Sequence, residues 1–236
     1  MINDSKIKLL CIPYAGSSAF YYYKWRTFFN DNITICPIEL AGRGIRSEDA
    51  FYKNFEQAID DLFEQVIRII NHSEYVLFGH SMGALIAYEL CNKLIDNGKK
   101  KPKHLIVSGY VAPHMQKLEP DKDIKEIIME LGGTPENIWS DQYLYDTFMP
   151  ILQSDHQIIK SYLYPKNREP IDIDISCLYG KYDFKTPFDL VSKWEELTNG
   201  IFKYYSFKGD HFFIEQHTAE VIDCVQNICL AERRTS

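Results

Sequence analysis

Short apolar runs alternate with longer amphipathic segments along most of the chain. The runs hold consecutive apolar residues, which is typical of strands buried on both faces of a parallel sheet. Between them, apolar residues recur at helical spacing, so the pattern predicts strands and helices in turn. We therefore expect an α/β fold, a mostly parallel sheet with helices on both faces. The predicted strands cover residues 7–12, 33–38, 75–78, 105–108, 173–179 and 202–207.

The alternation stops between the fourth and the fifth predicted strand. Residues 115–165 show no strand pattern, but helical patterns cover residues 123–131 and 143–152. An insertion at this point lies beside the carboxyl ends of the strands, where α/β proteins bind ligands. We expect it to be a helical lid over an active site, although a packing appendage fits the same pattern. Residues 1–236 are expected to form a single domain that carries this insertion.

Composition argues against several classes of partner. The chain has 26 basic and 33 acidic residues and a net charge of −7, which disfavours a nucleic-acid or anionic membrane surface. No apolar run is long enough to span a membrane, and residues 1–8 do not resemble a signal peptide. The six cysteines are scattered without a C-x-x-C pair. We therefore expect buried, reduced thiols in a cytoplasmic protein, with neither a disulfide framework nor a metal site.

The strongest chemical signal is the sequence Gly-His-Ser-Met-Gly at residues 79–83, between a predicted strand and a predicted helix. This is the G-x-S-x-G pattern of a nucleophile elbow, in the strand–turn–helix context that the elbow requires. Small residues two positions before and after Ser81 let the strand and the helix pass close to the turn that projects its hydroxyl. The N–H of Met82, at the start of the helix, then points toward a developing oxyanion.

A second loop of small residues follows the first predicted strand at residues 13–18. Backbone N–H groups in such a loop are open to an anion, so we predict the Ala15 N–H as the second oxyanion donor. An ordinary turn is the alternative interpretation. The glycine-rich basic loop at residues 39–46 matches neither a Walker loop nor G-x-G-x-x-G, so it is a weak candidate for phosphate binding.

A serine nucleophile needs a base within hydrogen-bond reach and an acid that orients the base. In proteins with this elbow, the acid and then the histidine follow the serine along the chain. Asp183 follows the fifth predicted strand and His211 the sixth, so both are expected at the same sheet edge as Ser81. The predicted positions of the other candidates suit these roles less well: His72, His80, His104, His114, His156, His217, Asp155, Asp172, Asp174, Asp189 and Asp210.

The chemistry that these residues predict is acyl transfer to water. Ser81 attacks a carbonyl group while His211 takes its proton, and water then cleaves the acyl-enzyme. These residues by themselves indicate a serine acyl hydrolase. They do not distinguish a thioester substrate from an oxygen ester.

Five motifs together resemble one known family, the stand-alone type II thioesterases of nonribosomal peptide and polyketide synthesis. They occur in the family's order and span nearly the whole chain. The motifs are PYAGS at 13–17, ELAGRG at 39–44, GHSMGA at 79–84, SGYVAP at 108–113 and GDHFF at 209–213. Two departures are small: Ala41 stands where relatives usually have proline, and Asp210 where many have a glycine.

The resemblance implies an α/β-hydrolase fold with a helical lid and hydrolysis of acyl thioesters on the phosphopantetheine arm of carrier proteins. That activity removes stalled or mis-primed acyl groups from synthases. The implied triad is Ser81, Asp183 and His211, with Ala15 and Met82 as oxyanion donors. The implied partners are acyl or peptidyl carrier protein domains. No cofactor is expected, since phosphopantetheine belongs to the substrate, and the chain is expected to be a monomer.

Three other functions remain open at this point. The nearest is a chain-terminating fatty acyl-carrier thioesterase, which performs the same chemistry on a fatty-acid synthase. A general serine esterase or lipase is a wider possibility. The third is a hydrolase fold retained as a non-enzymatic binding module.

Overall fold

Six strands form one sheet in the computed structural model, which describes residues 6–71, 73–116, 123–132 and 136–231. Their order across the sheet is β2-β1-β3-β4-β5-β6, and each neighbouring pair is parallel. The prediction of a mostly parallel sheet is confirmed. The strands are β1 Ile7–Ile12, β2 Ile33–Pro37, β3 Tyr75–His80, β4 His104–Ser108, β5 Ile175–Gly180 and β6 Phe202–Phe207.

Helices connect the strands and cover both faces of the sheet. The α-helices are α1 Phe20–Tyr23, α2 Phe55–Ile70, α3 Met82–Asp96, α4 Ile124–Leu131, α5 Gln142–Ser161, α6 Phe188–Val191, α7 Phe213–Gln216 and α8 Thr218–Leu230. Short 3₁₀ segments cover Lys24–Thr27, Gly44–Arg46, Pro113–Met115, Glu136–Trp139 and Ser192–Leu197.

Successive residues of the central strands face opposite sides and enter two separate apolar layers. Leu10 and Leu77 pack in one layer with residues of α2 and α3. Leu9, Val76 and Phe78 pack in the other with residues of α1 and α8. Because both faces are covered, both sets of positions must be apolar, which explains why the strands are continuous apolar runs.

The insertion between β4 and β5 is helical in its described part, where α4, a 3₁₀ segment and α5 follow one another without a strand. Helix α5 extends to Ser161, so the predicted end near residue 152 was wrong. Pro150 lies inside α5 and removes one backbone donor. Beyond Pro150, however, α5 is held by burial of Asp155 and Ile158, which local pattern does not reveal. Tertiary packing therefore continues the helix past its proline.

All six cysteines are free thiols. Four are buried, as predicted, whereas Cys36 and Cys224 are only partly buried. In the described part of the chain, the helices are too short or too polar to cross a membrane.

The layer behind β3 gives the first testable prediction. Phe78 is fully buried against Tyr22 and Trp25, whose ring centroids are 5.9 Å and 5.3 Å away. The substitution Phe78→Ala leaves a cavity there, so we expect the free energy of unfolding to fall by about 3–5 kcal/mol in urea denaturation. Phe184→Ala is the control, since Phe184 is 67% exposed. Its expected change is below about 0.5 kcal/mol. Similar losses in both variants would contradict this account of the core.

Candidate active site

Ser81 occupies a strained turn between β3 and α3. Its φ of 52° and ψ of −125° lie in a region that a side-chain-bearing residue rarely adopts. A Cβ added to Gly79 would lie 1.9 Å from the Gly83 carbonyl oxygen, and one added to Gly83 would lie 2.3 Å from that of Ile12. Both glycines are thus required by direct backbone contact. The Ser81 N–H donates to the Ser108 carbonyl oxygen at 2.7 Å, which fixes the turn against β4.

The structure brings Ser81, His211 and Asp183 together in one hydrogen-bonded chain. Nε2 of His211 lies 3.0 Å from Oγ of Ser81, and Nδ1 lies 2.7 Å from Oδ2 of Asp183. Because the carboxylate accepts the Nδ1 proton, Nε2 is free to accept the serine hydroxyl proton. Asp183 follows β5 and His211 follows β6, so parallel strands deliver all three side chains to one edge of the sheet.

Asp183 is held ionised by its surroundings. Burial by itself raises the pKa of its carboxyl, but hydrogen bonds from His211 and the turn after β5 outweigh burial, and the pKa falls below its ordinary value. In that turn, Oγ of Thr186 donates to Oδ2 at 2.7 Å and the Lys185 N–H donates to Oδ1 at 2.9 Å. The carboxylate is therefore both charged and fixed in orientation toward the imidazole.

The two predicted oxyanion donors follow neighbouring strands. Met82 is the first residue of α3, so its N–H has no acceptor within the helix. Ala15 follows β1, which pairs with β3 through Ile12 and Gly79. The loops that carry Ala15 and Met82 thus begin side by side at the carboxyl edge. Among the hydrogen bonds of the described residues, none is donated by the Ala15 N–H.

An aspartate of the insertion lies against the loop that carries Ala15. Oδ2 of Asp155 accepts the Gly16 N–H at 2.8 Å, and the same carboxylate forms a buried ion pair with Arg43. Sequence reasoning missed this contact, since Asp155 and Arg43 are 112 residues apart and no local pattern links them.

The other arginine of the glycine-rich loop after β2, Arg46, pairs with Asp49 and Asp61. Both arginines of this loop therefore have carboxylate partners within the chain.

With one exception, the other histidines that the structure describes form no hydrogen bond or ring contact with Ser81 or His211. His104 bonds Ser176, His114 pairs with Glu196, and His217 is the N-cap residue of α8. His156 lies on α5, and His72 lies outside the described residues.

The exception is His80, whose ring centroid is 5.3 Å from that of His211. It is fully buried, and its Nδ1 lies 2.9 Å from Oγ of Ser108. Burial, followed by the neighbouring His211, lowers the pKa of His80 well below its ordinary value, so its imidazole is neutral.

The described residues contain no group of three or more histidine, cysteine, aspartate or glutamate side chains placed to hold a metal ion. Asp210 also turns away from His211: its Oδ1 accepts the Phe212 N–H and the Gln216 side-chain amide, each at 2.9 Å.

A parallel sheet with a serine on a strained turn after β3, and with an acid and a histidine after β5 and β6, defines an α/β-hydrolase. Comparison with known proteins narrows this class. The model of the thioesterase domain family matches residues 7–229, and the chain belongs to that family.

Similar proteins agree with this assignment. The gramicidin S biosynthesis protein GrsT of Aneurinibacillus migulanus is 34% identical over 227 residues, which cover 94% of this chain and 88% of GrsT. The medium-chain S-acyl fatty acid synthase thioesterase of Rattus norvegicus is 30% identical over 220 residues, or 89% of this chain and 82% of the rat enzyme.

The crystal structure of ClbQ from the colibactin NRPS/PKS pathway superposes with a TM-score of 0.87. It is 33% identical, and the match covers 94% of this chain and 96% of ClbQ. The predicted α/β-hydrolase fold and the resemblance to type II thioesterases of peptide and polyketide synthesis are confirmed.

The backbone contact at Gly79 can be tested directly. The methyl group of Gly79→Ala meets the Gly83 carbonyl, so we expect the free energy of unfolding to fall by about 3 kcal/mol. Gly98→Ala is the control, because its methyl group enters open space and costs only a left-handed backbone at φ +63°. That cost is about 1–2 kcal/mol. Denaturant titration compares the two variants, and a smaller loss at Gly79 than at Gly98 would refute the contact.

Proposed function

We propose that this chain is a type II thioesterase that hydrolyses acyl groups from the phosphopantetheine arm of carrier protein domains. Its role would be to free peptide or polyketide synthases from stalled or mis-primed acyl groups. The observation that carries the proposal is the hydrogen-bonded chain from Ser81 through His211 to Asp183. Membership of the thioesterase family and similarity to GrsT and ClbQ support the choice of substrate.

In the proposed mechanism, Oγ of Ser81 attacks the thioester carbonyl carbon while Nε2 of His211 takes the hydroxyl proton. The Asp183 carboxylate stabilises the imidazolium that forms. The N–H groups of Ala15 and Met82 hold the oxyanion of the tetrahedral intermediate. The carbon–sulfur bond then breaks, and the imidazolium gives its proton to the departing phosphopantetheine thiolate.

Water completes the reaction. His211 takes a proton from a water molecule, which attacks the acyl-enzyme carbonyl and forms a second tetrahedral intermediate. Its collapse releases the carboxylic acid and returns the proton to Ser81. The chain's own residues account for every proton transfer, so this mechanism uses no cofactor; the phosphopantetheine enters as part of the substrate.

The proposal treats residues 1–236 as one catalytic domain in which the insertion at about 115–165 is the lid. Exposure supports a division of that insertion near Pro150. Tyr143, Tyr145 and Phe148 are exposed on the first half of α5, whereas Ile158 on the second half is fully buried. We therefore assign lid movement to the part that precedes Pro150.

Carrier protein domains are the proposed partners, since they present the phosphopantetheine arm. The expectations of a monomer and of a cytoplasmic location stay predictions from the sequence.

A second candidate is chain termination on a fatty-acid synthase. The 30% identity with the rat medium-chain S-acyl fatty acid synthase thioesterase favours this candidate. The two candidates share their chemistry and differ in the acyl length and the carrier that they prefer.

The decisive measurement compares hydrolysis of one acetyl group on two carriers, a phosphopantetheinylated carrier protein and free coenzyme A. We expect a strong preference for the carrier protein, because surface contacts with the domain add to the transition-state binding of the arm. Ser81→Ala removes the nucleophile, and its expected loss in kcat is about 10⁴-fold or more without unfolding.

Equal rates on the two carriers would reassign the protein as a general acyl hydrolase. Near-normal turnover by Ser81→Ala would remove the proposed nucleophile. A preference for medium-chain over acetyl groups on the same carrier protein would support the fatty-acid alternative.

Leu152 lies on α5 against Gly16 of the loop at residues 13–18, which we call the oxyanion loop because it carries Ala15. We expect the preference for acyl-chain length to depend on this leucine. Leu152→Ala opens space beside Gly16, the residue after the proposed oxyanion donor, and we expect the ratio of kcat/KM for hexanoyl over acetyl groups to rise by about tenfold.

Gln157→Ala is the control on the same helix, since Gln157 is exposed and follows Pro150, outside the part assigned to lid movement. An unchanged ratio in Leu152→Ala, measured on carrier-linked substrates, would separate this side chain from the acyl site.

A further inference from the structure

We propose that Asp155 is a positioning residue for the oxyanion site and that the second half of α5 is a fixed part of that site. The inference rests on the proposed function, since it concerns the loop that carries the Ala15 N–H. It assigns to one half of the insertion a role opposite to that of a mobile lid.

The Asp155–Arg43 pair forms hydrogen bonds with two adjacent residues of the oxyanion loop. Oδ2 of Asp155 accepts the Gly16 N–H at 2.8 Å. The guanidinium of Arg43 binds both carboxylate oxygens, at 2.7 Å and 2.5 Å, and also donates to the Ser17 carbonyl oxygen at 3.0 Å. The carboxylate thus holds a donor of the loop, and the guanidinium holds an acceptor one residue further on.

Because both side chains are buried, their contacts with the oxyanion loop are rigid. Asp155 is 0% exposed and Arg43 is 2% exposed. A bidentate arginine–carboxylate pair fixes both side chains in one plane, and burial excludes water as a competing partner for either group. An exposed pair of the same residues would exchange with solvent and transmit little positional information.

These hydrogen bonds restrict the direction of the Ala15 N–H through the backbone. Gly16 has a φ of +78° and no side chain, so on its own it would move readily between conformations. The hydrogen bond from the Gly16 N–H to Asp155 fixes the plane of the peptide between Ala15 and Gly16. That plane sets ψ of Ala15 and thereby restricts the orientation of the preceding N–H, which is the proposed oxyanion donor.

The second half of α5 is anchored well enough to serve as a support. Oγ of Ser161 accepts the Phe55 N–H at 2.8 Å, which ties the end of α5 to the start of α2. The hydroxyl of Tyr162 donates to Glu89 of α3 at 2.7 Å. Ile158, about one turn before these contacts, is fully buried, so this half of the helix belongs to the core.

The first test is the substitution Asp155→Asn, which keeps the shape and removes the charge. An asparagine amide facing Arg43 cannot accept both guanidinium hydrogen bonds, so the loop loses its fixed position. For hydrolysis of a carrier-linked acetyl thioester, we expect kcat to fall by about 10- to 100-fold. KM should stay within about threefold, because the lost interaction acts in the transition state.

Glu89→Gln is the matched control. Glu89 is also a buried carboxylate paired with an arginine, Arg168 at 3.0 Å, and it also contacts the end of α5. Glu89 does not touch the oxyanion loop. The amide oxygen of a glutamine can still accept the Tyr162 hydroxyl, so Glu89→Gln loses the charge pair with Arg168 but keeps this anchor of α5. We expect a similar loss of thermal stability but a kcat within about twofold of the wild type. Equal kcat values for Asp155→Asn and Glu89→Gln would overturn the proposal.

The double variant Arg43→Met/Asp155→Leu separates positioning from stability. It removes both buried charges and leaves neither unpaired, a replacement that proteins often tolerate without loss of stability. We expect the thermal midpoint to recover relative to Asp155→Asn while kcat stays low, because the Gly16 N–H still lacks its acceptor. Recovery of kcat together with the midpoint would show that the pair serves stability alone.

Amide hydrogen exchange in the wild type tests the hydrogen bond from the Gly16 N–H to Asp155. It needs neither a variant nor a measurement of activity. The Gly16 N–H should exchange as slowly as the buried amides of α3, since its acceptor is inaccessible to water. Exchange at the rate of exposed loop amides would overturn the proposal even if the enzyme hydrolyses thioesters. Slow exchange of the Gly16 N–H in a chain that hydrolyses no thioester would instead refute the proposed function, while supporting the hydrogen bond to Asp155.

Discussion

The structure depends on the close approach of β3 and α3 at Ser81. The backbone there admits no Cβ at Gly79 or Gly83, and Gly83 also lies against the carbonyl of Ile12 in β1. The serine between them is held at a positive φ, which is unfavourable for a residue with a side chain. Such strain persists only where the surroundings fix it, and here β1 and β4 flank β3 within a fully buried sheet centre. As a result, the hydroxyl of Ser81 projects from the sheet edge toward His211.

A second constraint is the buried pair of Arg43 and Asp155. Two apolar residues could fill the same space, and burying charges costs desolvation energy. What an apolar pair could not supply is a set of directed hydrogen bonds to both the Gly16 N–H and the Ser17 carbonyl. The pair thus joins the loop after β1, the loop after β2 and helix α5, three segments that are far apart in sequence. The insertion is therefore integral to the site on one side and exposed on the other.

The chemistry of the site is shared by a wide range of acyl hydrolases. A serine, a histidine and a buried carboxylate held ionised by its hydrogen bonds can act on thioesters and on oxygen esters by the same mechanism. Family membership selects the thioester, and the carrier protein is a proposal that concerns surfaces outside the triad. The proposed determinant of acyl selectivity is Leu152, which lies against Gly16. It belongs to α5, a different segment from those that carry Ser81, Asp183 and His211.

The sequence by itself determined the features that local patterns encode. Continuous apolar runs identified the strands of a parallel sheet, and the spacing of glycines around Ser81 identified the strained turn. The rule that acid and histidine follow successive strands singled out Asp183 and His211, because parallel strands end at one edge. Only the tertiary structure decided the rest. Helix α5 continues past Pro150 because its second half is buried, and Asp155 reaches Gly16 and Arg43 across the fold. The placement of His80 beside His211 was equally invisible. These contacts join segments whose distance is set by packing, and no periodicity or spacing along the chain records which distant side chains will meet.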